Sequence, residues 1–201
     1  LKKDLKQYTK MRDLIICDDF YNNIDEVRAF ALEQDFNVDG NYPGHRTKSF
    51  LNQGIADWIG EVVGGEFIMP DDPDDTYCGA YQYTTARDRT WIHADGWNDW
   101  AGVVYLTPDA PVSGGTGIYR HKPTGAYKTP RLSDGSINNT LMELINNDGQ
   151  DYTKWELVDV VGNKYNRAVF YKGDLFHASL DYFGRDLQDG RLFQTFFFNT
   201  K

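Results

Sequence analysis

The chain reads as a mainly β protein with flanking helices. Three observations predict this. From Tyr77 onward, short apolar segments alternate with turn residues, at 77–84, 90–95, 101–107, 116–120, 155–161, 167–172, 175–179 and 192–199. Ahead of them helical spacing prevails, at Ile24, Val27, Phe30 and Ala31 and again at Ile55, Trp58, Ile59 and Val62. No internal repeat or low-complexity stretch points to a solenoid. Many short strands separated by turns fit a double-stranded β-helix, the cupin-like jelly-roll, better than an α/β fold.

Each element has a local reason. Leu14–Cys17 is an apolar first strand. Asn23 or Asp25 can cap the helix that follows, and a second helix runs around 54–63. Both are expected on the outer face of the main sheet, so that residues 1–70 act as a helical support. Between them Asn41–Thr47 reads as a turn, with His45 exposed rather than catalytic. Asp71-Asp72-Pro73-Asp74-Asp75 lacks the glycine and distal glutamate of a calcium loop and reads as a solvated acidic turn. Residues 77–199 would form the jelly-roll core, with an insertion at 120–155. A helix is expected near 137–146, where Leu141, Leu144 and Ile145 share a face.

Composition bounds the rest. At 201 residues and 40% hydrophobic, one domain spanning 1–201 can bury a single substantial core. No apolar run approaches the roughly 18 residues that cross a bilayer. The start, Leu1-Lys2-Lys3-Asp4, lacks the apolar core of a signal peptide, so the expectation is a cytoplasmic protein without membrane attachment. Cys17 and Cys78 lie in apolar segments and read as buried thiols of a reducing compartment. A net charge of −9 opposes a nucleic-acid-binding surface, leaving a small molecule or peptide as the expected partner. Oligomeric state leaves no mark in the sequence.

The chemistry gathers at His93-x-Asp95 and, 84 residues after that histidine, His177. Two imidazoles and one carboxylate are the minimal set for a facial metal triad with open positions. Taken alone the short motif is weak. With 24 Asp and 4 His in the chain, one such pair arises by chance roughly 40% of the time. Context strengthens it. On an extended segment residues i and i+2 share a face, so His93 and Asp95 can address one ion. His177 opens a short strand after the Gly173-Asp174 turn, and strand ends hold side chains rigidly. On the apolar last strand Arg191, Phe193, Thr195 and Phe197 share a face. Arg191 could snorkel to water from the strand start. It could equally receive a carboxylate, its fork supplemented by the Thr195 hydroxyl.

These residues in this order resemble the Fe(II)/2-oxoglutarate-dependent oxygenases, and within them the prolyl-hydroxylase-like branch. The likeness is carried by His93-x-Asp95, the distal His177 and Arg191 fourteen residues later. It also includes Tyr83 ten residues before His93, Tyr105-Leu106-Thr107 on the following strand, the Gly114-Gly115 turn, and Thr195 four residues after Arg191. It covers roughly 77–199. Thr107 departs from the usual Asn, and both 120–155 and 181–189 exceed a compact member, which bears on the substrate more than on the metal.

The resemblance implies Fe(II) held by His93, Asp95 and His177. It implies 2-oxoglutarate bound through its C1 carboxylate and C2 keto oxygen, with O2 as co-reactant and ascorbate as an accessory reductant. The distal carboxylate would rest on Arg191 with Thr195 or Tyr105, and Tyr83 would hydrogen-bond the cosubstrate. Decarboxylation to succinate would be coupled to hydroxylation of a substrate C–H, a prolyl side chain at family level.

Other features bear on substrate. Trp91 fits core or function equally, whereas Trp97 and Trp100, after Gly96, are expected at the mouth of the site. The stretch Arg120 to Arg131 collects basic side chains and reads as a solvated loop or as a lid that steers an anionic substrate. A different class of reading is a non-catalytic jelly-roll module for carbohydrate or protein, suggested by an aromatic content of 15%. A cupin-type enzyme using another metal without 2-oxoglutarate shares the fold. Neither explains a guanidinium on the inner face of a buried strand.

Overall fold

Alternation along the last strand divides the molecule into layers. The structure, a computed structural model, describes residues 13–201; the expectation drawn from Leu1–Asp4 lies outside them. In chain order the described elements are β1 Leu14–Cys17, α1 Ile24–Leu32, β2 His45–Ser49, α2 Gln53–Val63, β3 Phe67–Ile68, β4 Ala80–Thr84 and β5 Trp100–Tyr105. They continue with β6 Thr116–His121, α3 Asn139–Asn147, β7 Trp155–Val161, β8 Ala168–Lys172, β9 His177–Ser179 and β10 Arg191–Thr200. The larger, seven-stranded sheet runs β1-β8-β5-β10-β4-β2, with β3 paired to the far end of β10. The smaller runs β7-β6-β9. All these pairs are antiparallel, and the two sheets make a jelly-roll.

Leu192, Phe196 and Phe198 of β10 face outward, packing with Phe170, Ala31, Ala56 and Ile59 beneath α1 and α2. Full burial of each large side chain contributes ~2–3 kcal/mol. Phe193 faces the other way, joining Val103, Tyr105, Val169 and Tyr171 against Ile118 and Val161 of the smaller sheet. The expected helical layer therefore lies on the outer face, as its amphipathic spacing requires. Asn52 caps α2 by accepting from the Ile55 N–H at 3.0 Å, and Gly64 ends it at φ 78°, donating to Gly60. Ile55, Ile59 and Val62 form its apolar stripe.

Two sequence expectations change. Residues 45–47, expected as the end of a turn, belong to β2, His45–Ser49, paired with β4 through His45↔Tyr83 and Arg46↔Gln82. The polar run His-Arg-Thr-Lys-Ser hides the strand, because its buried members are Arg46 and Thr47 rather than aliphatic residues. His45 is exposed, as expected. Residues 90–95, expected as a strand, form none; His93 alone makes an isolated antiparallel bridge, to His177. Their donors diverge, Ile92 N–H to Gly149, His93 N–H to His177 and Asp95 N–H to Gly173.

A third core, of Ile92, Tyr119, Ile145, Trp155, Phe176 and Ala178, joins α3 to the outer side of the smaller sheet. Cys17 and Cys78 are both free, and burial pushes the Cys78 thiol up to about 12. No helix among the described residues is long and apolar enough to cross a membrane.

Candidate metal centre and its cavity

His93 and His177 face each other across an isolated antiparallel bridge. Their ring centroids are 4.5 Å apart. Asp95, two residues on, projects toward the same point as His93. Its carboxylate oxygens lie 3.9 Å from His93 Nε2 and 3.3 Å from His177 Nε2. One ligand atom from each residue falls within 4.8 Å of the other two.

The hydrogen bonds fix the tautomers. His93 Nδ1 lies 3.0 Å from the Trp91 carbonyl, and His177 Nδ1 lies 3.0 Å from that of Leu175. A carbonyl only accepts, so each Nδ1 carries a proton, which leaves Nε2 as the ring atom able to present a lone pair to a metal. Asp95 Oδ2 is buried and has no hydrogen-bond partner. With both imidazoles neutral, as a metal requires, three electron-pair donors converge on one point, an arrangement that a cation at its centre stabilises. Desolvation, then the neighbouring His177, lowers the His93 pKa, favouring the neutral imidazole that a metal requires. Burial alone would raise the Asp95 carboxyl, but His177, His93 and Arg46 outweigh it and hold the group ionised. A divalent metal fits this donor set.

The triad opens into a cavity of about 670 Å³ between the two sheets. Arg191 lines it, only 1% exposed. Its Nε donates to the Gly114 carbonyl at 2.7 Å and its Nη2 to Gly115 at 3.3 Å. The guanidinium lies over Phe193 at 4.4 Å and near the Tyr105 ring at 5.3 Å. Its Nη1 is buried without a partner. An orphaned cationic donor in a cavity is a vacancy for an acceptor, best filled by a carboxylate. Gly115 is required here, since a Cβ would meet the Val161 carbonyl at 1.9 Å.

The other expected site residues divide. Tyr105 is fully buried beside Arg191 and shares a 2.7 Å hydrogen bond with Thr116, so it positions the guanidinium from behind. Tyr83 lies away from the cavity. Alternation on β4 turns Gln82 toward the cavity and Tyr83 toward the helical layer, where its ring stacks on His45 and meets Phe36. Thr195 lines the cavity, but its hydroxyl donates to the Tyr77 carbonyl at 2.9 Å and so has no proton to offer a carboxylate. Four residues along a strand also separate it from Arg191 by ~13 Å of backbone.

Trp97 stands at the rim, 76% exposed. Trp100 does not, being buried in the helical core with Lys172 Nζ 3.8 Å from its ring centroid. It opens β5, so the pleat rather than Gly96 decides its direction.

The segment 120–155 is a buttress rather than a lid. Of its residues Asn146 lines the cavity. Gly149 accepts from Ile92, and Tyr127 accepts from Phe176, so the segment braces the backbone on both sides of the histidine pair. Its basic side chains point elsewhere. Arg120 pairs with Glu156, Lys122 donates to Thr153, and Lys128 pairs with Asp13. Arg131 donates to Gly135 and borders a separate cleft with Trp100. Sequence reasoning missed Arg46, Gln82 and Tyr171, all of which line the cavity. Recognising β2 and its register with β4 would have exposed the first two.

The fold and the donor set define a jelly-roll protein with a candidate two-histidine, one-carboxylate metal centre. The chain belongs to a family of unknown function, DUF6445, whose model matches residues 3–198. No curated protein is significantly similar in sequence. Among solved structures, HygX from Streptomyces hygroscopicus with nickel and 2-oxoglutarate bound is similar at a TM-score of 0.54 and 9% identity, covering 97% of this chain and 85% of that one. The same protein with nickel, 2-oxoglutarate and hygromycin B bound matches at a TM-score of 0.54 and 10% identity, over 97% and 86%. At such identity the likeness establishes the fold.

Proposed function

We propose that the protein is an Fe(II)- and 2-oxoglutarate-dependent oxygenase that hydroxylates a small molecule or peptide. The observation that carries this reading is one cavity holding both the converging His93, Asp95 and His177 set and the unpartnered Nη1 of Arg191. A metal site alone would suit many cupin-like enzymes. A buried carboxylate receptor beside it suits a dicarboxylate cosubstrate, as do the nickel and 2-oxoglutarate bound in the HygX structures. A non-catalytic binding module leaves the orphaned guanidinium without a purpose.

In this reading His93, Asp95 and His177 hold the iron, and their fixed tautomers present it with preorganised lone pairs. Iron, when bound, supplies Lewis acidity toward the cosubstrate and one-electron chemistry toward O2. Arg191 orients 2-oxoglutarate by its distal carboxylate, with Phe193 and Tyr105 excluding water around the ion pair. Trp91 and Trp97 border the entrance by which substrate arrives. Prolyl hydroxylation, and any need for ascorbate, stay proposals drawn from the sequence resemblance. Anaerobic titration with Fe(II) and 2-oxoglutarate tests the reading. A weak visible charge-transfer band should form in the wild type and be absent from His177→Ala; a wild type without the band refutes the proposal.

A further inference from the structure

Arg46 is a second buried guanidinium in the same cavity. It lies on β2, 6% exposed, and among the described residues no carboxylate pairs with it. Its Nε and Nη2 both donate to Gln82 Oε1, the former at 2.9 Å, while Gln82 Nε2 is tied to the Pro43 carbonyl at 2.6 Å. The guanidinium carbon packs 3.7 Å from the Tyr42 ring centroid and 4.6 Å from that of Tyr77. Tyr77 reaches this position at φ 54°, a left-handed conformation costly for a bulky residue. The turn is held by its carbonyl accepting from Thr195 and its N–H donating to Asp74. An amide clamp, two aromatic faces and a strained turn therefore fix a charge that no carboxylate contacts directly, Asp95 acting on it only from beyond ion-pair distance.

Register separates Arg46 from Arg191. Arg46 pairs with Gln82 and Gln82 with Phe193, two strands over and two residues from Arg191. The backbones are thus roughly 12 Å apart, two strand spacings across the sheet and two residues along it. Charge accounting points the same way. The buried groups are Arg46, Arg191 and Asp95, one positive charge in excess. Asp75, also at the cavity, is exposed and screened by water. A divalent metal and dianionic 2-oxoglutarate cancel each other, which leaves the excess to be met by the remaining occupant.

We propose that Arg46 anchors a carboxylate of the primary substrate, making that substrate an organic acid whose apolar body lies along Trp91 and Trp97. The other occupants of the cavity are those of the oxygenase reading above, on which this assignment rests. A buried, unpaired guanidinium is expensive, and it gains its partner when the anion arrives.

The test uses protein loaded with Zn(II) and 2-oxoglutarate, titrated calorimetrically with 3-phenylpropanoate and its neutral counterpart 3-phenylpropanamide. The acid should bind at least about tenfold more tightly, the scale of one charge-assisted hydrogen bond. Arg46→Gln should remove that preference and Arg46→Lys should retain part of it, with both variants melting cooperatively and binding 2-oxoglutarate within about twofold of wild type. The proposal is overturned by a wild type showing no preference, including no binding of either probe, or by a preference that survives Arg46→Gln. It is overturned too if Arg46→Gln abolishes 2-oxoglutarate binding while Arg191→Lys retains it, since Arg46 is then the cosubstrate anchor. A wild type that binds no 2-oxoglutarate sinks the oxygenase reading instead, and the acid-over-amide preference measured on protein without it then decides Arg46 alone.

Discussion

His93 and His177 exchange both backbone hydrogen bonds, His93 N–H to the His177 carbonyl at 3.1 Å and His177 N–H to the His93 carbonyl at 2.8 Å. Two ligands separated by 84 residues are thereby locked as one antiparallel pair. Each ring is then oriented by the carbonyl two residues before it. Backbone hydrogen bonds hold the two ligands together independently of the donor atoms, so an ion should bind without reorganising the fold.

Metal addition should therefore stabilise the protein measurably. At a free Ni(II) concentration ~100 times the Kd, linkage contributes ~2.7 kcal/mol. For a chain of this size that is a rise in Tm of roughly 5–10 °C. Calorimetry should show the rise reversed by chelator and absent in His177→Ala.

Arg191→Lys should weaken 2-oxoglutarate binding by roughly ten- to a hundredfold, because an ammonium cannot reproduce the fork that spans Gly114, Gly115 and the incoming carboxylate. Ni(II) binding should be unchanged, since Arg191 is not among the metal donors. Equilibrium titration of each ligand separately distinguishes the two effects.

Tyr83→Phe should leave 2-oxoglutarate affinity unaltered, since its ring lies in the helical layer. Tyr105→Phe should differ. It leaves the Thr116 hydroxyl buried without its 2.7 Å partner, a cost of ~1–3 kcal/mol. Chemical denaturation of both variants, with 2-oxoglutarate titrations, checks the contrast.

Gly149→Ala probes the buttress. A Cβ at this position would meet the Ile92 carbonyl at 2.9 Å and the Asn146 carbonyl at 3.1 Å. The displaced Ile92 carries His93 with it, so metal affinity should fall by ~10–100-fold, as for the loss of other groups that orient ligands. An unaltered Ni(II) isotherm would mean that 120–155 does not hold the site.

The pair formed by Asp18 with Arg167 and Lys164 gives a pH signature. Hydrogen bonds from Arg167, then Lys164, hold the Asp18 carboxyl below its ordinary value. A folded pKa lower than the unfolded one gives stability that is present above the unfolded value, ~3.9, and is lost as pH falls through the folded one. Because the pair is open to solvent, the effect should stay under ~1 kcal/mol. Asp18→Asn should flatten the acid limb of the stability curve by that amount.

Local pattern was enough to determine much of this molecule. Period-2 alternation placed Arg191 and Phe193 on the inner face of β10 and Leu192 on the outer, because the pleat admits no other choice. Helical spacing located α1 and α2, and His93-x-Asp95 with the distal His177 named the residues whose ligand atoms converge. Tertiary structure decided what depends on partners. Tyr83 turned from the site because β4 pairs so that Gln82 faces inward, and Trp100 entered the helical core as the first residue of β5. Basic residues of 120–155 found acids and carbonyls on the outer surface, leaving the segment to brace the histidines. Arg46 stayed hidden longest. A charged residue in a polar run carries no signal of burial until a neighbouring strand, two tyrosines and a glutamine enclose it, and that enclosure exists only in three dimensions.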